Sequence, residues 1–76
     1  MTQLAAILNG IRPEFDFTTS NDFIADGMLD SLDMVTLVAT LDKTFGISIR
    51  GVEIVPENFN SIPAIQTLLR RYGVEA

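Results

Sequence analysis

The stretch Asp26-Gly27-Met28-Leu29-Asp30-Ser31-Leu32-Asp33-Met34-Val35 decides how this chain is read, because it places a serine at the entrance of an apolar-periodic segment. From Leu32 to about Thr44 the apolar residues return at helical spacing, and Phe45-Gly46 supplies the glycine that suits the position just past a helix. Two assignments of the serine are open. Ser31 is either the N-cap, accepting a backbone N–H and contributing about 1 kcal/mol, or Asp30 caps the helix and leaves the Ser31 hydroxyl for modification. A phosphodiester there would lie at the positive end of the helix dipole. Asp30 and Asp33 would oppose it electrostatically, so they read better as contacts for a basic enzyme that installs it.

Composition sharpens the interest in that hydroxyl. The chain contains no Cys and no His, so it lacks the commonest nucleophile, general base and soft metal ligands. Any thiol chemistry must come from an attached group, which points to a carrier rather than an enzyme. The 76 residues suit one small domain covering 1–76, and a net charge of -5 opposes binding to nucleic acid or anionic membranes. No run approaches the roughly 20 apolar residues of a membrane span, and no signal-peptide pattern opens the chain. These features lead to the expectation of a cytoplasmic protein, monomeric and free of bound metal.

Working outward from the serine, Thr2 to Leu8 reads as a short helix stopped by Asn9-Gly10. Ile11 to Leu29 reads as a long loop anchored by its own hydrophobics, with a helical turn around Asn21 to Ala25. Ile47-Ser48-Ile49 alternates like a strand but has no second strand to pair with, so it is expected as extended loop. Pro56-Glu57-Asn58-Phe59 suits one short helical turn. Ser61 then caps a last helix through Tyr72, where Ile62, Ile65, Leu68, Leu69 and Tyr72 share one face, Arg70 and Arg71 complement the dipole, and Gly73 ends the run. The fold class is all-α, a small four-helix bundle of three main helices plus one short helix.

The helix after Ser31 carries two apolar faces. Met34, Leu37, Val38, Leu41 and Phe45 form the broad core stripe, while Leu32, Val35 and Ala39 form a second stripe, divided from the first by Asp42 on one side and by Asp33, Thr36, Thr40, Lys43 and Thr44 on the other. Either another part of the chain covers this second stripe, or it is a docking patch that holds a partner beside the serine.

Taken together, Asp26-Gly27-Met28-Leu29-Asp30-Ser31-Leu32, the amphipathic helix ending at Phe45-Gly46-Ile47, the long first loop, Pro56-Glu57-Asn58-Phe59 and the Ser61-capped helix resemble an acyl carrier protein over nearly the whole chain. The resemblance implies that Ser31 carries 4′-phosphopantetheine, installed from coenzyme A by a phosphopantetheinyl transferase with magnesium. The arm's thiol would then hold acyl or aminoacyl groups as thioesters. It also implies that Leu32, Val35 and Ala39 meet loading enzymes and downstream synthases or transferases, with Asp30, Asp33 and Asp42 as acidic contacts. Thr36, Thr40 and Lys43 stand where fatty-acid carriers usually have glutamates, and Arg50-Gly51 stands where they often have proline and acids. This departure favours a specialised fatty-acid, polyketide or related pathway. An aminoacyl or D-alanyl carrier fed by an adenylation enzyme fits the same residues.

Two other readings compete. One is an acidic helical adaptor with an unmodified serine. The other is a calcium loop, since Asp22, Asp26, Gly27, Asp30 and Asp33 fall at EF-hand positions, but Ile24 occupies a ligand position and Asp33 is too short for the closing glutamate.

Overall fold

Residues 3–76 are described by the computed structural model. Four helices organise the described residues: α1 over Gln3–Ile11, α2 over Ser31–Phe45, α3 over Pro56–Phe59 and α4 over Ile62–Arg71. No strand forms among the described residues, and the class is all-α as expected. Thr2, the expected start of the first helix, lies outside the described residues.

Helix α1 extends past the expected stop at Asn9-Gly10, and this corrects the sequence reading. Gly10 does not adopt the left-handed conformation, so it is an ordinary helical residue. Pro13 sets the end instead. A proline disfavours helical geometry at the residue before it, here Arg12, whose N–H still donates to the Leu8 carbonyl at 3.0 Å.

The segment between α1 and α2 is long but well tied. Asp16 starts a 3₁₀ turn over Phe17–Thr19 by accepting the Thr18 N–H. The expected helical turn forms further on, closed by Asp26 N–H to the Asp22 carbonyl at 3.0 Å. The Asp22 carboxylate accepts the N–H groups of Ile24 and Ala25. Phe17 and Phe23 meet edge to face with centroids 4.9 Å apart, and Met28 and Leu29 join them in the core. Phe23 also donates its N–H to the Asn60 carbonyl at 2.6 Å, which fastens the loop to the junction of α3 and α4. Its apolar side chains thus do the work that a helix face would do elsewhere.

Gly46 ends α2 at φ 66°, a conformation that glycine adopts without steric cost. Beyond it, Ile47-Ser48-Ile49 joins no helix or strand, and the lack of a strand partner is solved by one residue of α2. The Asp42 carbonyl accepts the Ile47 N–H at 3.1 Å and the Asp42 carboxylate accepts the Ile49 N–H at 3.0 Å. A 3₁₀ turn over Gly51–Glu53, absent from the sequence reading, is held by the Tyr72 hydroxyl, which donates to Glu53 and accepts the Arg50 N–H. Ser61 caps α4 through the Ala64 N–H. Leu4, Leu8, Leu37, Leu41, Phe59 and Ile65 are fully buried and bring all four helices into one core. That core holds α2 in place, with the serine in its first turn.

Candidate functional site

The first turn of α2 settles the question left open by the sequence. Asp30 is the N-cap: its Oδ1 accepts the Asp33 N–H at 2.8 Å, while Asp33 Oδ2 accepts the Asp30 N–H at 3.2 Å. This is a reciprocal capping box built with an aspartate where glutamate or glutamine is usual. Ser31 is therefore the first helical residue. Its hydroxyl is exposed and has no hydrogen-bond partner among the described residues.

Arg12 reaches this turn from the far side of the long loop. Its Nε donates to Asp33 Oδ2 at 2.8 Å, its Nη2 lies 2.8 Å from the same oxygen and 3.5 Å from Asp30 Oδ2, and its Nη1 lies 3.5 Å from Glu14. The Asp33 side chain is only 13% exposed, so this pair is partly shielded from water. The hydrogen bond from Arg12 holds the Asp33 carboxyl below the usual carboxylate range, and Asp33 raises the Arg12 guanidinium in return.

A cavity of about 340 Å³ opens beside the serine, lined by Ile24, Gly27, Leu29, Ser31, Met34 and Pro56 among others. On the outer face, Leu32 is 73% and Val35 58% exposed, and Ala39 is exposed beyond them. Nothing among the described residues covers this second stripe. The core stripe holds Met34, Leu37, Val38 and Leu41 as expected, with Phe45 half-buried at its end. Of the three acids expected at the docking face, Asp30 is exposed, whereas Asp33 is joined to Arg12 and Asp42 is joined to the Ile49 N–H. The Thr36 and Thr40 hydroxyls donate back to helix carbonyls, which uses their only protons.

The site contains an accessible hydroxyl to which no base is hydrogen-bonded among the described residues. Asp22 is committed to its own turn, Asp26 accepts the Ser20 hydroxyl, and no group of three or more metal-ligating side chains occurs among the described residues. Such a serine suits modification by another enzyme. The model of the family described as phosphopantetheine attachment site matches residues 2–72. The chain belongs to this family. No curated protein and no solved structure matches it.

As a member of the phosphopantetheine attachment site family, the chain is a phosphopantetheine carrier protein whose prosthetic group is covalent 4′-phosphopantetheine. The residues present fit that group: the unpartnered, exposed hydroxyl of Ser31 offers an attachment atom, and the adjoining cavity offers room along the chain. Its partners include a phosphopantetheinyl transferase and the enzymes that use the carrier. No helix among the described residues is long and apolar enough to cross a membrane.

Arg12 is the residue at this turn that sequence reasoning missed. It is the only Lys or Arg before Lys43 in an acidic chain, which is a signal of a kind. Its partner Asp33 lies 21 residues further on, too far for local spacing rules to connect them.

Proposed function

We propose that Ser31 is the attachment point of 4′-phosphopantetheine, and that the chain carries acyl or aminoacyl groups as thioesters to partner enzymes in a specialised fatty-acid, polyketide or related pathway. One observation carries the reading: the Ser31 hydroxyl is released from capping by Asp30 and stands exposed in the first turn of α2. The bound group would supply the thiol that the sequence lacks. The chain's own part is to hold the attachment oxygen at the helix N-terminus, where backbone N–H groups favour an anion, and to present Leu32, Val35 and Ala39 beside it. A partner seated on that stripe would have its active site within reach of the serine. Asp30 adds the acidic contact nearest to it.

Incubation of the apo protein with coenzyme A, magnesium and a broad-specificity phosphopantetheinyl transferase, followed by intact mass measurement, tests this directly. The expected result is a phosphopantetheinyl mass increase that vanishes in Ser31→Ala. An increase that persists in Ser31→Ala would move the attachment to another residue. No increase in a folded wild-type protein, with the transferase active on another carrier, would favour the adaptor reading.

A further inference from the structure

Arg12 lies outside both the attachment residue and the docking stripe, yet its contact with Asp33 at 2.8 Å is the shortest ion pair among the described residues. We propose that Arg12 is a positioning residue that fixes the register in which α2 starts, and so keeps the Ser31 hydroxyl free for modification. The proposal rests on Ser31 being the attachment point.

Two adjacent residues can cap this helix, and aspartate and serine do so about equally well. If Asp30 caps, the third helical residue is Asp33 and a capping box can form. If Ser31 caps, the third residue is Met34, which has nothing to return to the cap. The hydroxyl would then be consumed by a backbone N–H. The Asp30 register wins in the structure, and the bond that distinguishes it is the weaker half of the box, from Asp30 N–H to Asp33 Oδ2 at 3.2 Å. Aspartate is one methylene shorter than the usual glutamate, so it needs help to hold this position. Arg12 supplies it, gripping the same Oδ2 with Nε and Nη2, both at 2.8 Å, while Nη2 also faces Asp30 Oδ2 at 3.5 Å. Arg12 is itself fixed at the end of α1 by its N–H bond to the Leu8 carbonyl. Helix α1 thus sets the start of α2 through one guanidinium.

The test compares wild type, Arg12→Gln, Asp33→Glu and the Arg12→Gln/Asp33→Glu double variant in the apo protein. Two readouts are taken: the Ser31 Cα and Cβ chemical shifts, and kcat and KM for phosphopantetheinyl transfer from coenzyme A. Because the two caps are nearly equal, loss of the bias should lower kcat/KM by about two- to fivefold and move the Ser31 shifts toward cap values. Glutamate reaches the cap N–H unaided, so Asp33→Glu in the Arg12→Gln background should restore both. Unchanged Ser31 shifts in Arg12→Gln would overturn the proposal. So would a rate loss that Asp33→Glu does not restore, since Arg12 would then act by touching the transferase. If Arg12→Gln fails to fold, Asp33→Asn, which weakens the same link from the other side, is read by the Ser31 shifts: movement toward cap values supports the proposal and unchanged shifts would overturn it. The chemical shifts decide the register even if the arm proves to attach elsewhere, so the two readings fail separately.

Discussion

Removing the Asp30 carboxylate should cost less than a lost helix cap normally does, because Ser31 stands next in line to replace it. Asp30 Oδ1 satisfies the Asp33 N–H at 2.8 Å, and loss of such a cap typically costs about 1 kcal/mol, with a range of about 0.5–2. In Asp30→Ala the Ser31 hydroxyl can take over, but moving the helix start by one residue forfeits the Asp33 to Asp30 bond and the Met34 N–H bond to the Asp30 carbonyl, now 3.0 Å. The net cost should be about 0.5–1 kcal/mol. Ser31→Ala alone should change stability by less than about 0.5 kcal/mol, since its hydroxyl has no partner among the described residues. With both replaced no side chain can cap, and the cost should rise to about 1.5–2 kcal/mol. The pair is then coupled by about 0.5–1 kcal/mol, within the range seen for residues that share a partner. In a domain of this size each kcal/mol moves Tm by about 4–8 °C, so thermal and urea unfolding of the four apo proteins, followed by circular dichroism, resolves the cycle. A cost near 1 kcal/mol for Ser31→Ala alone, or a double variant equal to the sum of the singles, would refute the assignment of Asp30 as the cap.

Leu32→Asp and Val35→Asp should leave stability within about 0.5 kcal/mol of wild type, as both side chains are largely exposed, while slowing transfer with a cognate partner chiefly through KM. Steady-state kinetics of the loaded carrier beside its melting curve would separate the two effects. Phe23→Ala should cost about 3–5 kcal/mol, because the ring is fully buried against Phe17. A 76-residue domain has roughly 4–11 kcal/mol in total, so this loop substitution should bring the protein close to unfolding at 37 °C, as urea titration would show. The Asp33 carboxyl is held below its unfolded value by Arg12, so its contribution is present above the unfolded carboxylate pKa, about 3.9, and is lost as pH falls through the lower folded value. Arg12→Gln should therefore flatten the dependence of Tm on pH below about pH 5. Some slope should remain, because Asp16 is lowered in the same direction by its bonds from Thr18.

Much of the architecture was legible because it is local. Ser61 and Gly73 bound α4 as expected, Gly46 ends α2, Pro56 opens α3, and the 3.6-residue period picked out Met34, Leu37, Val38 and Leu41 as core. The misreading of α1 was also local: Gly10 permits a stop without enforcing one, whereas Pro13 enforces it by sterics at Arg12. The 3₁₀ turn at Gly51–Glu53 escaped notice because Tyr72, which holds it, comes 19 residues after Glu53.

The sequence by itself determined an acidic, helical chain, a serine at the entrance of its longest helix, and two apolar stripes on that helix. These follow from periodicity, capping chemistry and charge, which operate within a few residues of chain. Only the tertiary structure decided that Asp30 rather than Ser31 is the cap, that the described residues leave the stripe of Leu32, Val35 and Ala39 uncovered, and that Asp33 and Asp42 are bonded within the chain. Each of those depends on what the core brings alongside. Asp30 and Ser31 are nearly equal as caps, so the choice between them falls to a guanidinium that the packing of α1 against α2 delivers from a distant part of the chain.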